Sequence, residues 1–324
     1  MITVQQLNKT YRIAKRNAGM KEAVSSLFHK EYTEIAALKD VSFDIQKGEI
    51  VAYIGPNGAG KSSTIKIMSG ILTPDSGTCV VNGYVPWQQR KEYVRHIGVV
   101  FGQRSQLWWD VPVIDSLELI RDIYQVEGHR YRCNLEELTV LLDLEELLKT
   151  PARQLSLGQR MRCEIAASLL HDPQVLFLDE PTIGLDAISK HAVQDFIRKL
   201  NQEKQTTVIL TTHDMQDVEA LSERILLIGK GEILLDGSLG ELKKRYGTMK
   251  TIQVEYSGGA LSSKAGMALS RQEANSCTIL VNTEILSISE AIAHISQHLE
   301  VSDLSIASAS AEEMVMSLYQ EFQL

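Results

Sequence analysis

Paired cysteines are missing from this chain of 324 residues. Cys79, Cys133, Cys163 and Cys277 stand far apart with no CxxC pair. That spacing excludes a disulfide framework and a cysteine zinc site, and it fits a reducing cytosol. No apolar run approaches the roughly 18 residues needed to span a bilayer. The opening MITVQQLNKTYR has no signal-peptide core. The expectation is a soluble cytoplasmic chain whose membrane role, if any, comes through a partner. A basic surplus is missing too: 33 Lys and Arg against 41 Asp and Glu leave a net charge of −8, which argues against a dedicated nucleic-acid binder. No internal repeat is visible. What remains is the composition of an ordinary globular chain, 44% hydrophobic and 23% charged, with room for one large domain and a smaller one.

The first two hundred or so residues alternate short apolar runs with helical patterns. EIVAYIG, IGVVFG, QVLFLDE and TTVILTTH read as buried strands, the grammar of an α/β fold with a mostly parallel sheet. LTPDSGTCVVNGYV, with its Asn82-Gly83 pair, reads as an antiparallel hairpin. Residues from about 104 to 172 carry almost no strand signal and predict a helical subdomain. A change of pattern near 240 predicts two domains, 1–240 and 241–324. The second reads as a small α+β unit: strands TIQVEY, CTILVN and VSDLSIAS, and two helices opened by Ser-x-x-Glu capping boxes, Ser287/Glu290 and Ser310/Glu313.

One stretch carries chemistry on its own. Gly55, Pro56, Asn57, Gly58, Ala59, Gly60, Lys61 and Ser62, followed by Ser63, match GxxxxGK[ST] between a predicted strand and a predicted helix. Successive backbone N–H groups in such a loop wrap phosphate oxygens, and the helix N-terminus adds its positive end. Lys61 would neutralise β- and γ-phosphates, and the Ser62 hydroxyl would ligate Mg²⁺. QVLFLDEP supplies the complementary half: Asp179 to hold Mg²⁺ and Glu180 to polarise an attacking water as general base. His213 ends another apolar strand. Alone it would be a structural histidine; on a parallel sheet it would reach the same edge as the glycine loop. Gln103, closing IGVVFGQ, either presents its amide toward Mg²⁺ and water or is an ordinary loop residue.

GPNGAGKSS, Gln103, LSLGQ, VLFLDEP, Gly184-Leu185-Asp186 and His213 follow one another as in the ATPase subunits of ABC transporters. The resemblance covers about residues 1 to 240. The longer strings GQRSQLWWD and LSLGQRMRCEIAASLLHDPQVLFLDEPTIGLD resemble the ATPases that serve ABC-2-type permeases, mostly exporters. It implies a P-loop cassette with an antiparallel β subdomain and a helical subdomain, binding and hydrolysing ATP with Mg²⁺. It further implies head-to-tail pairing with a second nucleotide-binding cassette as a homodimer, and attachment to an integral membrane permease on the inner face of the cell membrane. In such a pair Ser156, Gly158 and Gln159 of LSLGQ face the partner's nucleotide, Asp186 lines the seam, and Tyr11 stacks on adenine. Leu157 departs from the usual glycine of LSGGQ, with little expected effect. The alternative is a soluble ABC ATPase of translation or DNA repair with no permease. Neither substrate nor direction of transport is written in the motifs.

Three features lie outside those motifs. An insert at about 12–34 carries Met20, Ala23, Val24, Leu27 and Phe28 at the spacing of an amphipathic helix. It would pack on its own domain or touch the permease or an anionic membrane surface. Of the neighbours Trp108 and Trp109, at least one is expected in the core. Glu290, His294 and His298 have the spacing of a metal site on a helix, but lie opposite the apolar face and predict a solvated surface.

Overall fold

The computed structural model describes residues 1–14, 32–102, 105–246, 249–308, 314–315, 318–319 and 322. Gln103, the amphipathic pattern at 20–28 and the Ser310/Glu313 pair lie outside the described residues. The chain divides into two compact units, Met1–Asp236 and Gly237–Leu324, a few residues before the pattern change in the sequence.

Two sheets build the first unit. The larger runs in the order β5-β6-β7-β3-β8-β9, comprising Ile97–Phe101, Val175–Asp179, Thr207–Thr211, Ile50–Ile54, Arg224–Gly229 and Glu232–Ser238. The first five of these are paired in parallel. Their central members are continuous apolar runs because helices cover both faces. Val51 to Ile54, Val175 to Leu178 and Val208 to Leu210 are all buried. Each such side chain contributes about 1.5–3 kcal/mol on burial, so these strands cannot shift by one residue without exposing their neighbours. The register sets Phe101 beside Asp179, Asp179 beside Thr211, and Thr211 beside Tyr53. Four strands thus deliver their carboxyl ends to one level.

The second sheet is antiparallel, in the order β2-β1-β4, with β1 at Ile2–Ala14, β2 at Tyr32–Ile45 and β4 at Ser76–Val81. Two expectations change here. The LTPDSGTCVVNGYV stretch is not chiefly a hairpin on itself: Asn82-Gly83 closes only a Val81–Tyr84 bridge, and β4 takes its main pairing from β1. The ends of the expected insert at 12–34 are strand: both arms continue as a ladder until Ala14 faces Tyr32.

Helices fill the crossovers. In chain order they are α1 (Lys61–Met68), α2 (Arg90–Tyr93), α3 (Val113–Tyr124), α4 (Gly128–Leu141), α5 (Leu157–Leu169), α6 (Ala187–Lys204) and α7 (Met215–Leu221). Helices α3 to α5 occupy the strand-poor stretch. Glu127 caps α4 by accepting from the His129 and Arg130 N–H groups, and Gln125 in the left-handed region ends α3. Neither tryptophan joins the core: Trp108 is 60% and Trp109 51% exposed. Leu107 is buried in their place, and the Arg160 guanidinium lies 5.4 Å from the Trp109 ring centroid.

The second unit holds α8 (Leu239–Tyr246) and a four-stranded antiparallel sheet in the order β11-β12-β10-β13, comprising Met267–Gln272, Ser276–Asn282, Met249–Gly259 and Leu299–Ser308, covered by α9 (Ile288–His298). The sequence pattern marks no element at β11, Met267–Gln272, whose residues are mostly exposed. Pairing with β12 alone makes it a strand. Ser287 and Glu290 form the capping box, which takes Glu290 away from any metal. His294 and His298 both meet the Ser262 hydroxyl, and no metal-ligand cluster of three occurs among the described residues.

Candidate functional site

The glycine loop is shaped by its own packing before any ligand is considered. A Cβ on Gly55 would stand 2.2 Å from the Ile228 carbonyl oxygen of β8. On Gly60, at φ +118°, it would stand 2.7 Å from the Ala37 oxygen of β2. Gly58 differs: its φ is +81° and nothing lies within 4 Å of a Cβ there, so it borders open space. Gly60 caps α1 without a side chain, and its carbonyl already takes the Ser63 and Thr64 N–H groups. The uncapped helix start faces outward with the exposed Ser62.

Lys61 is buried and strings the loop together, donating from Nζ to the Gly55 oxygen at 2.5 Å and the Pro56 oxygen at 3.2 Å. Burial lowers its pKa, while the charges of Glu180 and Asp179 pull it back up. The ammonium therefore lies within the field of both carboxylates, as the sheet register requires. Ser63 meets the Tyr11 hydroxyl at 3.2 Å, oxygen to oxygen. This places the Tyr11 ring beside the loop from the antiparallel sheet.

Asp179 ends β6 and accepts a 2.5 Å hydrogen bond from the Thr211 hydroxyl of β7. Its carbonyl takes the Gly102 N–H at 2.9 Å. Glu180 follows in the left-handed region, φ +55°, a conformation that non-glycine residues rarely keep without a reason. Its N–H is fixed on the Thr211 oxygen at 3.0 Å, and its carboxylate Oε2 lies 2.9 Å from His213 Nδ1. The histidine expected at this sheet edge thus sits on the expected base.

The second of the two expected phosphate-facing stretches is a capped helix start. Ser156 caps α5 in a complete capping box: its hydroxyl accepts the Gln159 N–H and its own N–H donates to Gln159 Oε1. The Ser-x-x-Gln spacing announces this box in the sequence. Gly158 has a reason that the sequence does not announce. A Cβ there would meet Ser189 Oγ at 2.4 Å and Ser189 Cβ at 2.7 Å. Asp186 caps α6 by accepting from the Ile188 and Ser189 N–H groups, and the Ser189 hydroxyl donates to it at 2.7 Å. Those bonds, the Ser189 N–H first, hold the Asp186 carboxyl below its ordinary range. Leu157 lies against Gly184. The LSLGQ helix and the GLDA turn of one chain are therefore a single packed surface.

Sequence reasoning passed over the groups that tie these parts together. Asp217 is fully buried and accepts from Gln194 Nε2 at 2.6 Å and from the Thr182 hydroxyl, with Lys190 Nζ at 3.5 Å. It joins the segment after Glu180 to the segment after His213. No motif marks it, because its partners come from α6 and from the segment after Glu180. Glu180, Thr182, Lys190 and His213 line a cavity of about 330 Å³.

Residues 38–183 match the family described as ABC transporter. The ABC transporter ATP-binding protein NatA of Bacillus subtilis is 32% identical over 218 residues, 67% of this chain and 88% of the relative. The linearmycin resistance ATP-binding protein LnrL of the same organism is 34% identical, over 71% of this chain and 73% of the relative. Daunorubicin resistance ATP-binding protein DrrA3 of Streptomyces coeruleorubidus is 34% identical, over 67% and 68%. Among solved structures, a dimeric post-hydrolysis ATP-binding cassette bound to ADP and Pi superposes with a TM-score of 0.61 at 27% identity, covering 74% of this chain and 99% of that one.

Proposed function

Because this chain belongs to the ABC transporter family and is one of its ATPase cassettes, we propose that it pairs with a second copy of itself on Mg·ATP to drive a separate ABC-2-type permease, as an exporter subunit. The observation that carries the reading is the common level of four strand ends, which sets Asp179, Glu180 and His213 beside the Lys61 loop. The open space at Gly58, the uncapped start of α1 and the buried ammonium fit a polyphosphate. Ser62 and Asp179 offer the hard oxygen ligands that Mg²⁺ takes together with phosphate oxygens, and Gln103 is a further ligand by its place in the sequence. When bound, the ion neutralises charge between the β- and γ-phosphates.

The chain's own groups supply the rest. Lys61 turns from the loop carbonyls to phosphate oxygens. Glu180 keeps one oxygen on His213 and uses the other to orient water and take its proton. His213, held through Nδ1, directs Nε2 toward the γ-phosphate. The loop residues Pro56, Asn57, Ala59 and Ser63 shape the pocket, and Tyr11 stacks on the base. From the second copy, Ser156, Gly158 and Gln159 close over the γ-phosphate and Asp186 lines the seam. Gly158 in this role offers backbone, and the packing of Ser189 behind it keeps the surface flat. The cassette would work at the inner face of the membrane, held by the permease.

Affinity capture of the tagged chain from solubilised membranes of its own cell tests this. Co-purification of one or two polytopic proteins that stimulate ATP turnover supports the permease. Ribosomal or DNA-repair proteins in their place would move the cassette to the soluble branch of the family.

A further inference from the structure

Glu164 sits in the middle of α5, only 5% exposed. A buried carboxylate is costly unless its oxygens are satisfied, and here a loop satisfies them. The Ser105 hydroxyl donates to Oε1, and the Gln106 N–H lies 3.2 Å from Oε1 and 2.9 Å from Oε2. Burial raises the pKa of this carboxyl, and the bonds from Ser105 and Gln106 lower it again. The same loop is pinned on two further sides: Gln106 Nε2 donates to the Val99 oxygen of β5 at 2.7 Å, and the Trp108 N–H to the Ser116 hydroxyl of α3 at 3.0 Å.

Position gives the arrangement its meaning. The chain leaves β5 with the Gly102 N–H on the Asp179 carbonyl, and three positions further on Ser105 enters the Glu164 clamp. Helix α5, which carries the clamp, starts at Ser156. A small apolar residue like the adjacent Ala166 and Ala167 would fill the helix face without burying a charge.

We propose that Glu164 is a positioning residue that fixes the loop following β5 to the helix capped by Ser156, so that the end of β5, bonded to the Asp179 carbonyl, stays in register with that helix. It acts on the rate of hydrolysis and not on nucleotide affinity, because nothing it touches belongs to the Lys61 loop. The proposal rests on the ATPase reading above.

The test is steady-state ATP turnover and nucleotide binding by the full-length chain and its Glu164→Ala, Glu164→Gln and Ser105→Ala variants. Losing the clamp is expected to lower kcat about tenfold in Glu164→Ala, with the dissociation constant for ATP within about twofold of the unmodified chain. Glu164→Gln keeps one accepting oxygen and is expected within about threefold in kcat, with Ser105→Ala between the two. A folded Glu164→Ala with unchanged kcat overturns the assignment. So does a Gln variant no better than Ala, since a packing defect alone would give that. If Glu164→Ala does not fold, Glu164→Gln and Ser105→Ala decide: unchanged kcat in Ser105→Ala overturns it. An unmodified chain without turnover overturns the ATPase reading itself.

Discussion

His213 Nδ1 stands 2.9 Å from Glu180 Oε2, across the ends of adjacent strands β7 and β6. Neither residue could find the other without the parallel register that sets Asp179 beside Thr211. Glu180→Gln keeps the shape and removes the base. Turnover is expected to fall by about 10²–10⁴-fold, the usual weight of general base catalysis, while ATP binding persists and a closed dimer accumulates. Single-turnover hydrolysis and sedimentation in ATP read both parts; normal turnover would remove Glu180 from that role.

Gly158→Ala separates packing within one chain from approach to a partner's phosphate. The new methyl would meet Ser189 Cβ at 2.7 Å, and overpacking of this kind costs about 1–3 kcal/mol. A lowered melting temperature is expected in the chain alone, without nucleotide. Combining it with Ser189→Gly is expected to recover much of the loss. If the single variant melts normally, the contact with Ser189 does not govern this glycine.

Tyr11 offers a ring and a hydroxyl that can be told apart. Tyr11→Phe loses only the 3.2 Å contact with Ser63, and its ATP affinity is expected to stay within about threefold. Tyr11→Ala loses stacking, worth about 1–3 kcal/mol per base, and is expected to weaken binding at least tenfold. Equal affinities in titrations of all three chains would place adenine elsewhere.

Asp186 ties acid stability to the α6 cap. Its folded pKa lies below the ordinary 3.8, so its contribution is present above the unfolded value and is lost as pH falls through the folded one. The melting-temperature difference between the unmodified chain and Asp186→Ala is therefore expected to be constant well above the ordinary 3.8 and to shrink as pH falls below it. A difference independent of pH would mean that the carboxylate charge plays no part in the cap.

Much of this cassette is determined by local sequence. The glycine loop between a strand and a helix, the apolar runs ending in Asp179-Glu180 and in His213, and the strand-poor stretch of helices are each a property of a few neighbouring residues, so periodicity and turn chemistry disclose them. Ser156 and Gln159 belong here too, since a capping box is complete within four positions. Other features were decided only by tertiary structure, because their causes lie far away in the chain. Strand β4 pairs with β1 rather than folding back on its own turn. Polar β11 is a strand only because β12 lies beside it. Both tryptophans stay outside while Leu107 goes in. Gly158 is glycine because Ser189 stands behind it, and Glu164 and Asp217 have partners on other elements. Sequence spacing reports what a residue can do with its neighbours along the chain; burial and hydrogen bonding across elements report which neighbours it has.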